Sequence, residues 1–107
     1  MKSALLVILL LAIQQPAPRV VDVSAKRFEF APNVVTLHRG ETVTIRLTSL
    51  DRSHGLLVKP LGIDLDADRD LPDEVTITPQ TAGRFPAICD HYCGMGHGNM
   101  KMTFVIE

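Results

Sequence analysis

The residues best suited to chemistry lie in one short segment near the C-terminus, Cys89 to Met100. This segment holds both cysteines of the chain, two of its four histidines and two of its four methionines. Thiolate, imidazole and thioether groups together form a soft and borderline donor set that suits copper. Calcium and magnesium prefer oxygen ligands. Structural zinc sites are built from cysteine and histidine and do not require a methionine at a fixed position. The donor types therefore predict a copper site.

The spacing of these donors also favours a metal-binding loop. The pattern reads Cys89-x3-Cys93-x3-His97-x2-Met100 and lies between two strand candidates, Gly83–Ile88 and Lys101–Ile106. A loop that joins two strands is anchored at both ends by the core, so its side chains can converge on one point. A further ligand would have to come from elsewhere in the chain, and His54, at the start of another strand candidate, is the natural choice.

Each of these residues also has a simpler interpretation. Cys89 and Cys93 could form a disulfide in an oxidising compartment. His54 could be a strand histidine that bonds only to backbone groups. His38 lies on a strand pattern away from other donors and is expected to be exposed, whereas Met102 alternates with Phe104 as a core residue would. The sequence alone leaves the disulfide and the metal site as alternatives.

The rest of the chain supplies elements that can position such a loop. After Arg19, apolar and polar residues alternate over short stretches, which is the period of half-buried strands. The clearest stretches are Phe28–Phe30, Val35–Leu37, Val43–Leu47, Val75–Ile77 and Met102–Ile106. Turn residues separate them, and no stretch after the N-terminal run shows a helical period. About seven or eight short strands at this spacing predict an all-β sandwich or barrel.

Length and charge limit the function further. The chain has 107 residues, enough for one small domain, which we place at residues 19–107. Its formal net charge of −1 offers no basic stripe, so nucleic-acid binding is excluded. The alternating aspartates of Asp64–Asp70 invite a calcium-loop interpretation, but Arg69 and Val75 stand where such a loop needs glycine and glutamate. We therefore predict a solvated acidic loop there, with partner docking as the alternative.

The N-terminal stretch has the features of an export signal. Lys2 precedes an unbroken apolar run, Ala4–Ile13, which is followed by glutamines and prolines. The run is shorter than the roughly 20 residues that a membrane-spanning helix needs, and it is typical of a secretory signal. We predict that residues 1–18 are a signal peptide or a short N-terminal anchor. The protein is then expected in the periplasm or at the outer face of the cytoplasmic membrane, where a retained segment would associate it with the membrane.

Several motifs together resemble the cupredoxin family over residues 19–107. They are Phe28-Glu29-Phe30-x-Pro32, Gly40-Glu41-Thr42-Val43, Asp51-x2-His54-Gly55, Pro79-x3-Gly83-x-Phe85-x3-Cys89 and the loop to Met100. The resemblance implies a Greek-key β-sandwich or barrel. The two-cysteine loop resembles the dinuclear CuA domain of cytochrome c oxidase subunit II and of nitrous oxide reductase, whereas mononuclear blue-copper cupredoxins use one cysteine.

The CuA resemblance implies a role for each donor. Both cysteines would bridge two coppers, two histidines would bind one copper each, the methionine would be a weak ligand, and one residue would lend its backbone carbonyl. The bridging cysteines would be Cys89 and Cys93, and the histidine ligands would be His54 and His97. Met100 would be the weak methionine ligand, and His91 would lend its backbone carbonyl.

The expected function is electron transfer without catalysis, because protein groups would fill every ligand position and leave none open for a substrate. The expected partner is a redox protein such as a c-type cytochrome or an oxidase. One alternative is a periplasmic Cu(I) carrier or assembly factor that uses the same loop. Another is an accessory subunit of a larger oxidase.

Overall fold

The computed structural model describes residues 17–89 and 100–107, and this part of the chain folds almost entirely as β-structure. A single 3₁₀ turn at Lys59–Leu61 is its helical element. None of the helical structure in the described ranges is long and apolar enough to cross a membrane. The strands of these ranges are β1 Arg19–Lys26, β2 Glu29–Ala31, β3 Val34–Leu37, β4 Val43–Ser49, β5 His54–Val58, β6 Ile63–Ala67, β7 Asp73–Ile77, β8 Gly83–Ile88 and β9 Lys101–Ile106.

The strands form two sheets. The four-stranded sheet has the order β2-β1-β4-β7, and the five-stranded sheet has the order β3-β9-β8-β5-β6. β1 runs parallel to β4 and β3 runs parallel to β9, while the other neighbours are antiparallel. The predicted all-β sandwich is therefore confirmed, with nine strands in the described residues. The two additional strands are β1 and β6.

The core lies between the sheets and follows directly from the alternation in the sequence. Successive side chains of a strand point to opposite faces, so Val43, Ile45 and Leu47 of β4 all point inward and are fully buried. Phe104 and Leu56 are fully buried on the facing five-stranded sheet. Burial of each such side chain contributes about 1.5–3 kcal/mol, and together they fix how the two sheets stack.

The acidic segment was predicted as a solvated loop, and for residues 64–67 that prediction is wrong. These residues belong to β6, where Ile63, Leu65 and Ala67 are buried while Asp64 and Asp66 are exposed. β6 is an edge strand of the five-stranded sheet. Charged side chains on an edge strand discourage pairing with another molecule, which explains aspartates in a position where strands rarely carry them.

Three strand ends meet at one end of the five-stranded sheet, which we call the site end. β5 begins there at His54, β8 ends there at Ile88 and β9 begins there at Lys101. The arrangement follows from pairing, because β8 is antiparallel to both neighbours and pairs Ile88 with Lys101 and with Leu57. Both strands predicted to flank the metal-binding loop are confirmed with the expected bounds.

Most of the predicted N-terminal signal, residues 1–16, lies outside the described residues, so the domain boundary stays a prediction.

Candidate metal centre

Three of the six predicted metal ligands fall within the described residues, and all three lie at the site end. His54, Cys89 and Met100 are 0%, 5% and 1% exposed. The Cys89 N–H donates a hydrogen bond to the Met100 carbonyl at 3.4 Å, which extends the β8–β9 ladder by one step beyond Ile88. The fold therefore places the imidazole of His54 in β5 at the same end of the sheet as Cys89, which follows β8, and Met100, which precedes β9.

The other three predicted ligands are His91, Cys93 and His97, and they lie outside the described residues. Their roles stay predictions. Within residues 17–89 and 100–107, no group of three or more His, Cys, Asp and Glu side chains could hold a metal ion. A site at this end would therefore need donors from the 90–99 segment in addition to the described ones.

In the part of the chain that the structure describes, the His54 ring has one nitrogen in a hydrogen bond and one without a partner. Its Nε2 lies 2.6 Å from Oδ1 of Asp51. Its Nδ1 is buried and has no hydrogen-bond partner among the described residues. Buried polar side-chain atoms are nearly always hydrogen-bonded, so this exception requires an explanation. A nitrogen that is held in place and left without a donor or acceptor has the properties of a metal-ligating atom.

Asp51 is fixed by several hydrogen bonds. Besides the ring contact, Oδ1 accepts the Arg52 N–H at 2.7 Å and Oδ2 accepts the Arg27 N–H at 2.8 Å. Burial alone would raise the pKa of Asp51, but the hydrogen bonds from His54 and the Arg27 backbone, together with the nearby positive charges, hold that pKa below its usual value. The carboxylate is therefore ionised at neutral pH.

The turn that carries Asp51 is braced by Ser49, the last residue of β4. The Ser49 hydroxyl donates to the Arg52 carbonyl and accepts the Asp51 N–H at 3.3 Å. The hydrogen bonds close the short connection between β4 in one sheet and β5 in the other. Because the connection is closed in this way, the positions of Asp51 and His54 depend on each other.

These groups fit a copper ion. A carboxylate-held imidazole is a common arrangement around protein-bound metals. The buried Met100, and Cys89 once it is reduced from its disulfide-bonded form to a thiolate, would add the soft donors that copper prefers. The close side-chain contact between Asp51 and His54 was not predicted. The signal was present as Asp51-x2-His54, a carboxylate three residues before a histidine at the point where a turn becomes a strand.

Residues 2–106 of the chain match the family model of the cupredoxin-like domain. This chain belongs to the cupredoxin-like family. The resemblance seen in the motifs is thus confirmed, and the match extends over nearly the whole sequence.

The curated relatives of this cupredoxin-like chain are oxidase subunits. It is 34% identical over 101 residues to a cytochrome c oxidase subunit 2 of Thermus thermophilus, which covers 90% of this chain and 73% of the relative. The same identity and share of this chain are found for the subunit 2 of a particular strain of that species, of which the chain spans 58%. The chain therefore corresponds to part of those longer proteins.

Solved structures share the fold at low sequence identity. The periplasmic domain of cytochrome oxidase subunit II from Bradyrhizobium japonicum superposes with a TM-score of 0.77 at 15% identity, over 87% of this chain and 86% of that one. Auracyanin A, a "blue" copper protein of Chloroflexus aurantiacus, gives a TM-score of 0.67 at 18% identity, over 85% and 100%. The metal-binding domain of a Cu(I)-exporting P-type ATPase from Streptococcus pneumoniae gives 0.66 at 21% identity, over 82% and 84%. These likenesses establish the cupredoxin fold.

Proposed function

We propose that this cupredoxin-like domain is an extracytoplasmic electron-transfer module with a dinuclear CuA-type copper centre. The observation that carries the proposal is the buried His54 Nδ1, which has no hydrogen-bond partner among the described residues and lies at the same end of the sandwich as buried Cys89 and Met100. The proposed ligands are His54, Cys89, the His91 carbonyl, Cys93, His97 and Met100. The relationship to oxidase subunit 2 supports copper as the metal.

A copper centre bound there would accept and release one electron at a time. The residues of the chain contribute rigidity and exclusion of water. His54 is held by Asp51, and Cys89 and Met100 extend from paired strands, so these donors cannot move far between redox states. Their burial keeps water from the described side of the site. A rigid, dry ligand set favours electron transfer over catalysis.

The surface at the site end supports docking of a redox partner. Four of the exposed large apolar side chains lie there or next to its supporting turn: Phe28, Leu50, Leu71 and Ile88, at 45%, 57%, 68% and 51% exposure. Ile88 directly precedes Cys89, and Leu50 directly precedes Asp51. Apolar side chains exposed at one end of a domain are suited to contact with a partner protein. We propose a c-type cytochrome or an oxidase as the partner that covers them.

The alternative is a Cu(I) carrier, and one observation bears on it, the shared fold with the metal-binding domain of a Cu(I)-exporting ATPase. A carrier must exchange its metal readily, which requires accessible ligands. Here the three described ligand residues are at most 5% exposed. Their burial favours the electron-transfer module.

Copper content and spectrum test the proposal. We expect the reconstituted full chain to hold two coppers and to show a purple mixed-valence centre by absorption and electron paramagnetic resonance. Cys93→Ser removes one bridging thiolate, so this variant should hold fewer coppers and lose the shared-electron spectrum.

Other outcomes point elsewhere. A wild-type ratio of one copper per chain, with a nearly unchanged spectrum in Cys93→Ser, would indicate a mononuclear centre. A colourless Cu(I) protein would favour the carrier. If neither chain binds copper and only stability falls, by about 2–3 kcal/mol or less, the cysteines form a structural disulfide.

A further inference from the structure

The outer face of the five-stranded sheet carries a row of four side chains with a charge at each end. The pairing of the strands places Asp64 of β6 beside Leu57 of β5, and Leu57 beside Ile88 of β8. Ile88 in turn pairs with Lys101 of β9. Paired residues of a sheet point to the same face, and the strand neighbours of these four are buried on the other face. The row therefore reads acid, apolar, apolar, base across four strands.

The two charged ends of this row have no partner in the described part of the chain. Asp64 and Lys101 are both exposed. Within residues 17–89 and 100–107, neither of them takes part in an ion pair. Three strand spacings of about 4.8 Å separate them, which is about 14 Å and too far for them to pair with each other. Both charges can therefore meet opposite charges on another molecule.

The outer face of the four-stranded sheet is different, because its polar groups pair within the sheet. Arg46 of β4 lies 3.9 Å from Asp22 of β1 and 3.9 Å from Glu74 of β7. The hydroxyls of Thr44 and Thr76 lie 2.8 Å apart. Of the two outer faces, that of the five-stranded sheet is thus the one suited to contact with another protein.

The apolar centre of the row is continued by its neighbours on the same face. Ile88 is 51% exposed and Leu57 is half-buried. In the next row, exposed Pro86 of β8 pairs with Thr103, which pairs with Val34 of β3. Val34 is 48% exposed. Neighbouring apolar side chains that remain exposed on one face are suited to protein contact.

We infer that a second copy of this chain docks on this face, about a twofold axis that runs parallel to the strands between β5 and β8. This rotation brings Asp64 of each copy against Lys101 of the other. It also brings Leu57 of each copy against Ile88 of the other. The row is therefore its own complement, which a twofold interface between identical chains requires. The inference goes beyond the proposed function and does not depend on copper.

The charges also select the orientation of the two copies. A twofold axis that lies in the face but runs across the strands would place Asp64 against Asp64 and Lys101 against Lys101, and like charges opposed in an interface are unfavourable. The axis parallel to the strands keeps both site ends at the same end of the dimer. Sheets packed face to face in this aligned way lie about 10 Å apart. The strand edges remain uncovered, so the contact is compatible with the edge aspartates of β6.

Sedimentation equilibrium of the metal-free full chain over a range of concentrations measures the association. The face is five strands wide, about 19 Å, so a weak dimer is expected. Asp64→Lys and Lys101→Glu each place like charges at both contacts, so each variant alone should raise the dimer Kd about tenfold or more. An equimolar mixture of the two variants restores opposite charges at both contacts and should associate about as tightly as wild type.

Asp22→Lys is the matched control. It changes the net charge as Asp64→Lys does, but on the outer face of the four-stranded sheet, and it should associate as wild type does. Carbodiimide cross-linking then checks the contact itself, because it joins a carboxylate to an amine only where the two touch. In a mixture of ¹⁴N- and ¹⁵N-labelled wild type, mass spectrometry should find Asp64 joined to Lys101 of a differently labelled copy.

Several results would overturn the inference. A wild-type chain that is monomeric at every concentration would do so, whatever its copper content. Equal association of wild type and all variants would also do so, since another surface, such as the apolar run Ala4–Ile13, would then be responsible. A mixture of folded Asp64→Lys and Lys101→Glu chains that stays monomeric would exclude the proposed contacts. If either variant does not fold, the cross-link in wild type decides. A dimer with this cross-link in a chain that binds no copper would overturn the proposed function and support the inference.

Discussion

The two sheets of the sandwich differ in what they contribute to the site end. The five-stranded sheet carries His54 at the start of β5. Cys89 directly follows β8, and Met100 directly precedes β9. The four-stranded sheet carries no predicted ligand, yet its β4 leads into Asp51 and its β1–β2 turn supplies the Arg27 N–H that Asp51 accepts. One sheet therefore carries the predicted donors, and the other holds one of them in place.

This difference shows why the predicted copper-binding loop would need a complete sandwich. The ligand strands could pair with one another without the second sheet, but the apolar face of a single sheet would be left exposed and the His54 ring would lose its carboxylate. The stacked core and the Asp51–His54 contact are separate links between the sheets. Each can be removed by mutation with little direct effect on the other.

The largest expected effect comes from the core of the four-stranded sheet. Leu47 is fully buried on β4, so Leu47→Ala should reduce the free energy of unfolding by about 2–5 kcal/mol. We expect the folded variant to keep the wild-type copper-to-protein ratio and spectrum, because Leu47 is no ligand. Urea unfolding and copper analysis measure the two quantities. Thr48→Ala, on the outer face of the same strand, is the control and should cost far less.

Changing His54 should reduce copper binding, which the Leu47 substitution should leave unchanged. His54→Ala removes a proposed donor, so copper affinity should fall by more than the 10–100-fold expected for loss of a ligand's partner. Competition with a copper chelator measures this. His38→Ala, at an exposed position, should bind copper as wild type does. An unchanged affinity and spectrum in His54→Ala would remove His54 from the ligand set and with it the assignment of donors to this sheet.

Much of the fold could be predicted because alternation is a local signal. In β4, inward valine, isoleucine and leucine alternate with outward threonine and arginine, and the strand appears where that pattern lies. β6 has the same period, but its outward residues are aspartates, which are more frequent in loops than in strands. The sequence could not show that β6 would be an edge strand, where such residues are tolerated. β1 was also missed, although Val21 and Val23 alternate with polar neighbours.

The site was predicted less completely, for a physical reason. Donor types and spacing predict a metal-binding loop, because the ligand chemistry of copper is specific. The role of Asp51 depends on how two sheets stack and on a turn closed by Ser49, neither of which has a periodic signature. The sequence contained the Asp51-x2-His54 pattern, but it did not show the 2.6 Å contact or that Nδ1 has no hydrogen-bond partner within residues 17–89 and 100–107.

The smallest of these effects should be seen in the acid stability of the metal-free protein. The pKa of Asp51 is lower in the folded chain than its usual value, so the ionised carboxylate stabilises the fold. This contribution is complete above the pKa of the unfolded chain, about 3.9, and is lost as the pH falls through the lower pKa of the folded state. The effect is modest because the Asp51 side chain is 33% exposed and partly screened by solvent.

Urea unfolding at neutral pH and near pH 3 measures the contribution of the ionised Asp51 carboxylate to the free energy of unfolding. We expect Asp51→Asn to be less stable than wild type at neutral pH and the two curves to converge in acid, since protonation removes from wild type the same charge that the mutation removes. A difference that stays constant across the range would mean that the shape of the side chain, and not its charge, links the sheets. In that case the four-stranded sheet would still brace the turn, but the ionised carboxylate would not be what holds His54.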